Sequence, residues 1–343
     1  MRKILLLLMV LLLLVSSFAF AAGRGDQRQE VLRFGLNHGI LDPENDMEAT
    51  WAIFFRDEIE RNSNGAMRVE IFPNNQLGNA AERMLGVATG TIDMTILNSL
   101  SFAPLHAPSM ILSAPGMFAY EAEIDAVMQS DWGREFFAGM ARDTNLFVIS
   151  AISNGMRCFT TSNRSLSTVD TARGVTFRVM ENPLMVRMVE ALGANAVPMA
   201  GAEMFTAMQI GTVDGQENPI AAILNDRTYE VQRYMVVSNH VASIVCFTMS
   251  YRRFQGLSPE LQAIVLDAAR EAGIRAAQTT AGINARGLAL LRERGLIIHE
   301  PTPAELAEWH APMRAAGSEH IRTQLGPQAL DGLERALATQ RGR

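Results

Sequence analysis

From Glu260 to Arg294 the chain runs without a proline, and Gly295 follows as a stop. Ser258 and Pro259 stand at its head, an N-cap and a first helical residue whose missing N–H costs nothing there. A helix of that length spans ~50 Å at about 1.5 Å per residue, too long to sit inside one lobe of a small domain. It is expected to cross between two lobes as a brace. The alternative is two shorter helices broken near Gly273 or Gly282.

What the brace joins is legible upstream. Val31 to Leu36 reads as a buried strand, and Asp46 to Asn62 as an amphipathic helix with Trp51, Phe54, Phe55 and Ile59 inward, closed by Asn64-Gly65. Met67, Val69 and Ile71 alternate with Arg68 and Glu70 as a strand does, and Pro73-Asn74-Asn75 makes a turn. A helix from Ala80 to Ala88 stops at Gly90, and Ile92 to Ile96 is the next strand. This βαβ order predicts a parallel sheet. The pattern then restarts, with strands at Phe147–Ser150, Met156–Thr160 and Val175–Val179, and helices at Pro183–Leu192 and Ala202–Gln209. Two α/β units imply two lobes, whose facing strand ends are where open α/β sheets take ligands. The tail from Pro301 reads as two helices.

The N-terminus reads as an export signal. Met1-Arg2-Lys3 precedes an apolar run from Ile4 to Val15, and small residues reach Ala21 and Ala22. A cleavable signal peptide over 1–22 and a periplasmic location follow. The remaining alternative is a permanent anchor, since Ile4 to Phe20 approaches the ~20 apolar residues of a spanning helix. The net charge of −6 with scattered basic residues argues against nucleic acid as a partner. Cys158 and Cys246 have neither metal-ligand nor redox spacing; a disulfide and a pair of buried thiols both remain open.

Catalytic signatures are missing. The six histidines, His38, His106, His240, His299, His310 and His320, form no helix-borne zinc pair, and there is no nucleophile elbow, phosphate loop or dinucleotide fingerprint. The chain is expected to be a non-enzyme without cofactor or metal.

One basic residue is awkwardly placed. Arg178 lies inside the apolar strand Val175–Val179, where a guanidinium requires an anion: a ligand carboxylate, or a protein carboxylate such as Glu217. Its planar fork suits a carboxylate in a way that lysine does not. Asn218, fixed before Pro219, offers an amide that can donate and accept, or can bond its own backbone.

The stretch Arg173-Gly174-Val175-Thr176-Phe177-Arg178-Val179-Met180-Glu181-Asn182-Pro183, with Ala191 to Met199 and Ala207 to Pro219 behind it, is distinctive. With Tyr229 to Tyr234 and Ser238-Asn239-His240 it resembles, in order and spacing, the solute receptors of tripartite ATP-independent periplasmic (TRAP) transporters. The likeness reaches back through Phe34-Gly35-Leu36-Asn37, Phe72 to Gly78 and Thr160 to Arg164, covering about Val31 to Leu266. It implies an α/β, two-lobed periplasmic-binding-protein-like fold: lobe I from 23–154 plus 244–283, lobe II from 155–243 plus 284–343. It implies that Arg178 clamps a substrate carboxylate and that Asn218 and Arg157 reach the ligand. Asn37 and Asn98, at strand ends, are expected in the same cleft, with His38 and Glu82 as neighbours that capping or surface roles explain equally well.

Asn98, Ser101 and Gly201 stand where the sialic-acid-binding branch would carry glutamate, arginine and phenylalanine. This argues against sialic acid, and a pocket with two arginines and several amides suits a small hydroxylated sugar acid of the hexuronate or aldonate kind, with a C4-dicarboxylate as the alternative. The expected partner is a TRAP membrane permease, the receptor itself being a monomer. A co-receptor presenting the ligand to a sensor kinase is the rival role.

Overall fold

The computed structural model describes residues 29–39 and 43–342; the expected signal peptide lies outside them. Ten strands are present among the described residues: β1 Glu30–Gly35, β2 Met67–Phe72, β3 Met94–Asn98, β4 Leu146–Thr161, β5 Thr176–Val179, β6 Asn195–Pro198, β7 Gly215–Pro219, β8 Tyr234–Val236, β9 Ala242–Ser250 and β10 Ile297–His299. β2, β1 and β3 are parallel, as the βαβ order predicts, and β9 joins β3 antiparallel. In the second half β6, β5 and β7 are parallel neighbours, while the parallel pair β10 and β8 lies on the other side.

β4 belongs to both halves. Its residues from Leu146 to Met156 pair antiparallel with β9, and those from Arg157 to Thr161 pair with β7. The sequence suggested two strands here because Ser153-Asn154-Gly155 interrupts the apolar pattern. The register instead shifts between Ser153 and Met156, with Gly155 at φ +98°, so a bulge absorbs the polar residues and the strand continues. Gly215 and Gln216, within the stretch Ala207 to Pro219, open β7.

The long helix is continuous from Pro259 to Glu293, capped by Ser258, whose Oγ accepts from Leu261 N at 3.3 Å. Neither Gly273 nor Gly282 breaks it. Its first half packs on the helix Met47–Asn62 and on β4, and its second half on the short helix Ile220–Asn225 beyond β7, so it does brace both lobes. Burial explains the anchoring. Trp51 stacks on Phe247 at 4.1 Å and on Phe55 at 4.6 Å in the first core; Phe159, Phe177 and Trp309 fill the second. The tail forms helices Pro303–Leu325 and Asp331–Arg341, and the last returns to the first half, burying Leu333 and Leu337 with Ile124, Val127 and Met140.

Cys158 and Cys246 are both buried free thiols; burial pushes the Cys158 pKa up to about 12 and that of Cys246 up as well. No described helix is long and apolar enough to cross a membrane.

Candidate functional site

The C-terminal ends of β1, β3, β5 and β7 converge on a cavity of about 180 Å³ between the halves. Asn37 and His38 leave β1, Asn98 ends β3, Arg178 lies in β5, Asn218 in β7, and Arg157 stands on β4 where it passes from one sheet to the other. All six line the cavity. Glu82 does not. Its carboxylate accepts from Asn79 N at 2.7 Å and completes the capping box of the helix Ala80–Thr89, so the capping role accounts for it.

Arg178 is 5% exposed. Its Nε and Nη2 donate to the Met199 carbonyl at 3.0 and 2.7 Å, and Nη1 approaches Met204 Sδ at 3.6 Å. Burial pushes its pKa down to about 10, so it stays charged at neutral pH. Its bonds run to neutral atoms only, and the outer edge formed by Nη1 and Nη2 keeps donors for an incoming anion.

Glu217, the expected protein rival for Arg178, is taken by the other arginine. Arg157 grips it through Nε and through Nη2 at 2.8 Å, and Nη2 also donates to the Asn218 Oδ1 at 2.9 Å. His240 Nε2 lies 3.3 Å from the same carboxylate. Burial alone would raise the Glu217 pKa, but Arg157 and His240 outweigh it and hold it at about 2. Burial pushes His240 the other way, below its ordinary value. Arg157 is thus buried and ion-paired. It is a neutralised pair member that holds Asn218, whose Nδ2 in turn donates to Gln216 Oε1 at 2.6 Å.

The opposite wall carries its own pairings. His38 Nδ1 lies 3.0 Å from Asp46, and Nε2 lies 3.3 Å from Asp226, which belongs to the segment after β7. Asn225 Nδ2 donates to the same Asp46 at 3.1 Å. His38 therefore ties the first half to the second. Burial opposes its charge, but Glu48, Asp226 and Asp46 outweigh burial and raise its pKa well above the usual value. Asn98 is held by Leu100 N at 3.1 Å and by Ser243 at 3.0 Å, so it caps and faces the cleft at once.

Sequence reasoning missed Glu48 and Arg83. Glu48 receives the backbone N–H of Asn37 at 3.2 Å and of His38 at 3.3 Å. Arg83 is buried, donates from Nε to Thr95 at 2.9 Å and from Nη1 to the Gly78 carbonyl at 2.8 Å, and has its pKa lowered by burial against the opposing pull of Glu48. Arg83 shares the inward stripe of its helix with Met84 and Val87, and a charge on an apolar stripe was the available signal.

A deep cleft between two α/β halves, walled by arginines and amides, is the architecture of a binding protein. The model of the bacterial extracellular solute-binding protein family 7 matches residues 38–324. The chain belongs to this family. This family 7 protein is 30% identical over 244 residues to the 2,3-diketo-L-gulonate-binding periplasmic protein of Escherichia coli, covering 71% of its own length and 73% of the relative's. Its fold matches the sugar-acid-binding protein of Advenella mimigardefordensis in complex with galactonate at a TM-score of 0.83, with 27% identity and coverage of 91% and 98% of the two chains. A TRAP periplasmic solute-binding protein of Roseobacter denitrificans with bound L-galactonate matches at 0.81, 27% identical, over 89% and 99%. The two-lobed fold and the TRAP receptor role stand on these matches together.

Proposed function

We propose that this TRAP-type receptor captures a hydroxylated sugar acid between its lobes, with Arg178 as the clamp on the carboxylate. The supporting observation is the buried Arg178 guanidinium, which bonds only neutral protein atoms while the nearby Glu217 is committed to Arg157. Asn218, Asn37 and Asn98 supply donors and acceptors for hydroxyls, and Arg157 and His38 fix the walls. The relatives that bind diketogulonate and galactonate favour a sugar acid over a C4-dicarboxylate.

Lobe I is drawn as 23–154 plus 244–283, and lobe II as 155–243 plus 284–343, with the last helix lying back on lobe I. The lobes close only by the difference in ligand affinity between open and closed forms. The closed receptor, exported to the periplasm and acting as a monomer without catalysis, hands its ligand to the membrane permease. Calorimetric titration of galactonate, glucuronate, diketogulonate and succinate, on the wild type and on Arg178→Ala, tests this reading. Sugar acids should bind and the substitution should weaken them by roughly a hundredfold or more, about 3 kcal/mol for a lost charge-assisted contact. Undiminished affinity in Arg178→Ala would remove the clamp, and recovery of chemically altered ligand would remove the non-catalytic role.

A further inference from the structure

A second cavity of about 260 Å³ adjoins the cleft. Ala80, Ser101, Arg178, Met180 and Gly201 line both, so the guanidinium stands at the junction. Beyond that junction the chemistry changes. Met84, Leu100 and Pro104 wall the second cavity from one lobe, and Met199 and Ala200 from the other. Its two further polar side chains do not serve a ligand's polar groups. Asn182 is turned into the protein, donating to the Leu100 carbonyl at 2.9 Å and accepting from Leu184 N at 2.9 Å. Glu181 sits exposed at the rim, where its charge disfavours a second carboxylate.

Gly201 keeps this space open. A Cβ there would meet only Arg178 Nη2, at 3.8 Å, an ordinary contact, so a larger side chain would fit the backbone and occupy the void. The methionines on both walls can adjust to a variable apolar shape. A carboxylate held on the Nη1–Nη2 edge of Arg178 places its adjacent carbon at the junction, with one substituent directed to the polar cleft and another to the apolar side.

We propose that the second cavity is a subsite for an apolar branch on the carbon beside the ligand carboxylate, so that hydroxy acids carrying a branched or aryl substituent there are taken alongside the sugar acids. The proposal rests on the carboxylate reading of Arg178. Its test is calorimetric titration of the full chain with glycolate, lactate, 2-hydroxy-3-methylbutanoate and mandelate, with galactonate alongside. Affinity should climb by roughly fourfold for each buried methylene, about 0.8 kcal/mol. Ala81→Leu and Gly201→Leu fill the cavity from opposite lobes and should flatten the series. Ala81 lines the second cavity but not the cleft, so glycolate affinity should be unchanged in Ala81→Leu. Circular dichroism checks that both variants fold. A flat series in the wild type, or a rise that survives both substitutions, overturns the subsite while galactonate binding leaves the receptor reading intact. Failure of every acid, galactonate included, overturns the clamp beneath it.

Discussion

At Glu217 the competing electrostatic effects are fully buried. Its folded pKa of about 2 lies below the ordinary 4.5, so the pair with Arg157 contributes stability at pH values above 4.5 and loses it as pH falls from 4.5 toward 2. Glu217→Gln leaves Arg157 buried without its counter-ion and should cost about 3–5 kcal/mol in urea unfolding at pH 7. A cost under 1 kcal/mol would mean the pair is not what holds Arg157. His38 has the opposite sign. Its folded pKa is raised, so its tie to Asp46 and Asp226 is fully present below about 6.5 and is lost as pH rises through the raised value. The melting temperature of the wild type should therefore exceed that of His38→Gln by a margin that shrinks as pH is raised above 6.5. A constant margin would remove the charge from the argument. In the sequence, Arg178 was conspicuous because its strand neighbours are apolar. The partner of Arg157 was not, since Glu217 lies 60 residues away and only β4–β7 pairing brings them together.

The long helix depends on a small residue at one point and not at another. Gly287 faces Ile220, and a Cβ there would collide with it; Gly282 has open space around it. Gly282→Ala should stabilise the chain by about 0.5–1 kcal/mol through helix propensity. Gly287→Leu should destabilise it by pushing the helix off Ile220–Asn225, and thermal melts of the two variants should move in opposite directions. The long helix was legible because its cap, its length and its stop all lie in contiguous sequence. β4 was not legible as one strand, because its continuity depends on β9 and β7 arriving from far along the chain to pair its two ends. Glu82 was left between capping and the cleft for a related reason: which of the two a first-turn glutamate does depends on which way its helix points.

For the whole molecule, ligand binding should appear as stabilisation and compaction. Ligand at a hundredfold over its dissociation constant should add ~2.7 kcal/mol to unfolding, and X-ray scattering should show a smaller radius of gyration with ligand bound. Equal scattering profiles with and without a bound acid would contradict closure. β4 runs unbroken through both sheets, and the last helix lies back across the first half. Neither lobe can therefore melt alone without unpairing a strand that the other still needs. Scanning calorimetry of the intact chain should record one endotherm, since the two halves share a single unit of cooperativity.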